Sequence, residues 1–116
     1  MSEGIKYDGG KDRFDLIPAE PLTALAKIYT MGFEKYGARN WEMGIEWSRI
    51  FGAVQRHLWA FWNGEDIDPE SGLPHVAHAA WGCFALIEFM HTHTELDDRV
   101  KGNQKQEDKT VIETNM

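Results

Sequence analysis

Residues 75–91 constrain the fold more than any other stretch of the chain. They are apolar on almost every side of a helix: Val76, Ala79, Ala80, Trp81, Cys83, Phe84, Leu86, Ile87, Phe89 and Met90 leave no continuous polar face. A helix of that kind belongs at the centre of a bundle or at a subunit interface. It nevertheless opens with two imidazoles, His75 and His78, spaced three apart and therefore on one side.

Two further helices are predicted upstream. Leu22, Leu25, Tyr29, Phe33 and Tyr36 recur at steps of three or four from Pro21, and Gly37 stops the pattern. Ser48 reads as an N-cap, followed to about Asn63 by a stripe of Phe51, Val54, Leu58 and Phe61, with Arg56, His57 and Ala60 on a different face. Gly64 ends this helix, residues 65–72 form an acidic loop, and Pro74 suits the first turn of the third helix. Strand signals are weak. The expectation is an all-α domain over residues 1–96, a bundle of three to four helices with an N-terminal arm that buries Phe14, Leu16 and Ile17. A polar tail over 97–116 is expected to be disordered.

Composition narrows the function classes. The 116 residues suit one domain, and a net charge of -7 argues against binding a nucleic-acid backbone. An acidic protein can still take a triphosphate where metal ions supply positive charge. The single cysteine, Cys83, excludes an internal disulfide and reads as a small core residue. No signal-peptide pattern and no membrane-spanning run is visible, so a cytoplasmic protein is expected, with no membrane partner.

Glu65-x-x-Asp68, then His75-x-x-His78, with His57 on the preceding helix, form the first candidate cluster. Gly82, one turn beyond His78, is expected to leave room for a ligand. Carboxylates and imidazoles together suit divalent cations. Satisfied helix-start histidines and a merely solvated acidic loop would look the same. Glu34, Lys35, Arg39, Asn40 and Trp41 form the second unusual run. Lys35 and Arg39 suit phosphate oxygens. Trp41 reads first as a core plug and second as a stacking surface for a base. Trp47, Trp59, Trp62 and Trp81 read as core or interface, and His91 and His93 as residues near the helix dipole, outside the site.

Four runs occur in one order: Lys6-Tyr7-Asp8-x-Gly10-Lys11, Glu34-Lys35-Tyr36-Gly37-x-x-Asn40-Trp41, Arg56-His57, and Gly64-Glu65-Asp66-x-Asp68-x-Glu70-x-Gly72-x-x-His75-x-x-His78. Together they resemble the phage-type dATP/dGTP diphosphohydrolases, relatives of the MazG-like all-α NTP pyrophosphatases. The resemblance implies a homodimer or homotetramer that uses two or three Mg2+ or Mn2+ ions. It also implies hydrolysis of a purine deoxynucleoside triphosphate, dGTP ahead of dATP, to the monophosphate and pyrophosphate. In phages that use 2-aminoadenine, such proteins are thought to supply dGMP; a phage-encoded member would work in the host cytoplasm.

On that reading Glu34, Glu65 and Asp68 are catalytic and hold metal together with His57, His75 and His78. Lys11, Arg13, Lys35, Arg39, Asn40, Trp41 and Arg56 bind the nucleotide. The pattern departs from MazG-type enzymes, where Glu-x-x-Asp opens the helix that here opens with His-x-x-His, and where a second glutamate stands in place of Gly37. Two readings from other classes stay open. One is a zinc-dependent phosphohydrolase releasing triphosphate or phosphate. The other is a non-catalytic helical adaptor.

Overall fold

A computed structural model describes residues 4–100 of the chain. The fold is all-α, built from α1 (Ala19–Tyr36), α2 (Trp47–Trp62) and α3 (His75–Thr92), with 3-10 turns at Phe14–Leu16, Asn40–Met43 and Thr94–Leu96. Among the described residues the one extended pairing is a bridge between Ile67 and Pro74. No helix there is long and apolar enough to cross a membrane.

The apolar character of α3 places it at the centre. It packs extensively along α2 and also against α1, and Ala85 and Phe89 on it are fully buried. Gly82 is the point of closest approach: a methyl group there would collide with Val54 and stand 3.4 Å from Ile50 Cγ2. The missing side chain therefore admits α2. It does not leave the ligand space expected from the sequence.

That contact also decides which side of α2 faces inward. Trp47, Ile50 and Val54 are buried, His57 continues the same face half-buried, and Phe51, Leu58 and Phe61 point outward. The sequence carries two apolar faces on this helix, and periodicity alone selects the outer one apart from Val54. The inner face, with Ala79 and Phe89, forms the core, against which Trp41, Ile45, Trp81, Leu86 and Leu96 pack.

The helix ends are fixed partly from outside the helices. α1 starts at Ala19, two residues before the predicted start, with Pro21 in its first turn, where a missing N–H costs no hydrogen bond. It stops at Gly37, whose φ of 91° suits only glycine comfortably. Ser48 is not the cap of α2. It lies inside the first turn, where its N–H and hydroxyl both donate to the Asp98 carboxylate. A carboxylate at that position also complements the helix dipole. Arg99 lies over the Trp47 ring, 4.9 Å from its centroid. Asp98 and Arg99 thus return to α2 although they follow the expected boundary at 97; residues 101–116 lie outside the described part.

Two expectations of burial fail. Phe14, Leu16 and Ile17 are exposed, as are Ile5 and Tyr7, so the arm finds no apolar cover within the described residues. Cys83 is exposed as well, because α3 turns that flank away from both neighbouring helices.

Candidate active site

Two adjoining cavities open between α1 and the start of α3. The first, of about 580 Å3, is largely apolar and is lined by Ile28, Tyr29, Phe33, Trp41 and Trp81, with Lys35, Arg39 and Asn40 at its polar edge. Tyr29, Trp41 and Trp81 meet edge to face, with centroids 6.1, 6.4 and 5.9 Å apart. The second, of about 660 Å3, is lined by Glu34, Lys35, Arg56, His57, Asp68, Glu70, Ser71, His75 and His78, together with Met31. Met31, Lys35 and His78 line both cavities and join them into one cleft, apolar at one end and charged at the other.

The loop between α2 and α3 shapes the charged end. Asp68 N–H donates to Leu73 O at 2.9 Å, Gly72 N–H to Asp68 O at 2.7 Å, and His75 N–H to Asp66 O at 3.0 Å. Gly72 turns the chain with φ of 74°. The Asp68 carboxylate sits at the hub of this loop, accepting from Glu70 N–H at 3.2 Å and from the Ser71 hydroxyl at 3.0 Å. Burial pushes the Asp68 carboxyl up, but those two hydrogen bonds and the nearby His78 and His57 outweigh it and hold it below the usual value.

The three imidazoles form a network of their own. His75 is buried and donates from Nε2 to Glu65 Oε1 at 2.6 Å, while its Nδ1 lies 2.9 Å from His57 Nδ1. His78 Nε2 lies 2.7 Å from Ser71 Oγ and 3.4 Å from Asp68 Oδ2. Because the serine gives its proton to the carboxylate, its oxygen accepts from His78. Serine here bridges histidine and aspartate; a nucleophilic triad needs the histidine in the middle. The rings of His57 and His78 stack in parallel, with centroids 4.4 Å apart and planes 6° apart. Burial and the neighbouring imidazoles lower the pKa of His57. Burial likewise lowers that of His78 against the pull of Asp68.

The expected six-residue metal set is not assembled. Among the described residues no group of three or more His, Cys, Asp or Glu stands in an arrangement that could hold an ion. The reason is geometric: imidazole lone pairs lie in the ring plane, so two parallel rings cannot converge on one ion. A magnesium site completed by substrate phosphates needs only one or two carboxylates. Glu34 from α1 and Asp68 from the loop both line the charged cavity and fit that simpler requirement, with Glu70 beside them.

The cleft collects Glu34, Lys35, Arg39, Asn40, Trp41, Arg56, His57, Asp68, His75 and His78 from the residues expected in the site. Glu65 is not among its lining residues and stands behind His75. Lys11 and Arg13 line neither cavity; Arg13 pairs with Asp15 on the exposed arm. The Arg39 guanidinium is bound by Glu42. Lys35 and Arg56 have no carboxylate partner among the described residues and are the cations available at the charged end. Trp41 is both core plug and cavity wall, in contact with Phe89 as well as with Tyr29 and Trp81. Sequence reasoning missed Ser71, whose signal was its place three residues after Asp68 in a turn, and the places of Tyr29, Phe33 and Trp81 in the cavity wall.

Comparison with known proteins adds a family. The model described as dATP/dGTP diphosphohydrolase, N-terminal, matches residues 1–99. A dATP/dGTP diphosphohydrolase of Salmonella phage PMBT28 is 36% identical over 96 residues, covering 83% of this chain and 33% of the relative. The chain thus spans about a third of the length of that relative. No solved structure matches.

Proposed function

Because the chain belongs to the dATP/dGTP diphosphohydrolase N-terminal family, we propose that it hydrolyses a purine deoxynucleoside triphosphate to the monophosphate and pyrophosphate. The single observation that carries this reading is the two-ended cleft. An aromatic cavity meets a charged one in which Lys35 and Arg56 stand without ion-pair partners among the described residues. A purine fits the aromatic end, where Tyr29, Trp41 and Trp81 offer ring faces and edges. Asn40 at its rim has both a donor and an acceptor for a base edge. The triphosphate then lies along the charged end against Lys35 and Arg56. On this reading dGTP is preferred and dATP is accepted, as the product dGMP would suit 2-aminoadenine synthesis in a host cytoplasm.

Glu34 and Asp68 would hold magnesium or manganese, which supplies charge neutralisation for the triphosphate and a more acidic water. Every other contribution comes from the chain. Lys35 and Arg56 neutralise non-bridging oxygens and orient the α-phosphorus toward the imidazoles. The aromatic cavity excludes water from the base and fixes the nucleotide along the cleft. A second copy of the chain is part of the proposal, since α2 and α3 expose Trp59, Trp62, Phe84, Ile87 and Met90.

The test is product identification in 18O-labelled water with dGTP or dATP and either cation, for the wild type and for Asp68→Ala. The expected result is 18O in the deoxynucleoside monophosphate, none in pyrophosphate, and a loss of about 100-fold or more in the variant with helical circular dichroism retained. Release of orthophosphate or triphosphate would point instead to the zinc-type hydrolase, and no turnover with any nucleotide to the adaptor.

A further inference from the structure

Two hydrogen bonds determine which nitrogen of His57 carries its proton. The Glu65 carboxylate only accepts, so His75 Nε2 is the donor across 2.6 Å. With a neutral His75 ring its Nδ1 then has a lone pair, and the 2.9 Å contact to His57 Nδ1 requires the proton to sit on His57. The remaining nitrogen, His57 Nε2, is thereby left with a lone pair. It has no protein partner among the described residues. No buried side-chain nitrogen or oxygen there lacks a partner, so Nε2 must reach the surface of the cavity that His57 lines.

The neighbouring ring carries its lone pair at the other position. With Nε2 donating to Ser71 Oγ, the lone pair of His78 is on Nδ1, next to its own Cβ and helix, whereas that of His57 is on Nε2, at the outer end of its ring. The Ser71 hydroxyl is fixed on Asp68, and the His78 ring lies flat against His57. Stacking and the hydrogen bond to His75 together fix the plane of the His57 ring. A group held so firmly, with one accessible lone pair, is suited to accept a proton from a water in that plane.

We propose that His57 Nε2 is the proton acceptor for the attacking water, and that His75 and Glu65 are positioning residues that hold His57 in the required tautomer. The inference rests on the hydrolytic reading above. In the step, the water oxygen bonds to the α-phosphorus and one water proton passes to His57 Nε2. The bond from the α-phosphorus to the bridging oxygen breaks, and pyrophosphate leaves with its electron pair. The proton then passes from His57 to solvent.

The test combines long-range 1H–15N spectra of the histidine rings in the full chain with steady-state kinetics. Wild-type spectra are expected to have His57 protonated at Nδ1 and His75 at Nε2. A proton on His57 Nε2 in the wild type, as an imidazolium at His75 would produce, overturns the proposal. Glu65→Ala is expected to mix the His57 tautomers and to lower kcat about tenfold or more with KM nearly unchanged. Glu65→Gln restores both, because its amide oxygen still accepts from His75. His57→Gln is expected to lose about 100-fold in kcat. Wild-type turnover in Glu65→Ala with mixed tautomers would refute the positioning role. Absence of all turnover in the wild type, with the tautomers as expected, would instead overturn the hydrolytic reading and the acceptor role with it.

Discussion

Gly82 holds a place where a hydrogen atom does what no side chain could. Val54 fills the notch it leaves, and the resulting close approach of α2 and α3 turns His57 toward the His75 and His78 side of the bundle. Gly82→Ala is therefore expected to destabilise the chain by about 1–3 kcal/mol, despite the better helix propensity of alanine. A lower urea midpoint with an unchanged slope would confirm it, and an unchanged or higher midpoint would contradict it. From the sequence this glycine reads as space for a ligand. Only the partner helix reveals that the space is filled, since a vacancy and a packing notch are identical in a single chain's pattern.

At the scale of elements, the 3-10 turn carrying Asn40 and Trp41 is fastened to the end of α3 by His93. Both ring nitrogens of His93 face acceptors, Glu95 Oε2 at 2.8 Å and Glu42 O at 2.7 Å, and its carbonyl accepts from Trp47 Nε1 at 3.2 Å. The Glu95 carboxylate, then the Glu42 carbonyl, raise the pKa of His93 above its ordinary 6.5. The sign follows from linkage: this stabilisation is complete below 6.5 and is lost as pH rises through the raised value. His57 and His78, both lowered, act oppositely; their stabilisation is present above 6.5 and is lost as pH falls through their lowered values. In thermal unfolding from about pH 5 to about pH 9, His93→Gln should be less stable than the wild type at the acid end and match it at the alkaline end. A difference that is constant with pH would refute the fastening role.

The helices themselves, their order and the central place of α3 follow from periodicity and from Gly37, Gly64 and Pro74. The inner face of α2 does not, because Trp47, Ile50 and Val54 compete with Phe51, Leu58 and Phe61 and both sets repeat at helical spacing. Most of the candidate site was also legible: Glu34, Lys35, Arg56, His57, Asp68, His75 and His78 do meet at one cavity. Their connections were not legible, since the stacking of His57 on His78 and the withdrawal of Glu65 behind His75 depend on how the helices meet. Spacing along the chain does not record that.

For the molecule as a whole, large apolar side chains on α2 and α3 remain exposed after the three helices have packed. Phe84 and Ile87 are 50% and 57% exposed, at helical spacing on the element that is otherwise the most buried. With Trp59 and Trp62 on α2 they are apolar surface that the proposed second copy would cover. Sedimentation of the wild type should give a dimer or tetramer, and Ile87→Glu should shift it toward monomer while leaving helix content intact. A monomeric wild type at tens of micromolar would contradict this.

In the proposed complex the nucleotide lies along the joined cavities, base at the aromatic end and phosphates at the charged end. This placement is tested most directly by titrating the full chain with a non-hydrolysable α,β-imido dGTP while recording indole and imidazole NMR signals. Saturable shifts are expected at Trp41 and Trp81 together with His57 and His78, with weaker binding in Lys35→Ala and Arg56→Ala. Shifts confined to Trp59 and Trp62 on the outer face of α2, with the cleft signals unmoved, would contradict it.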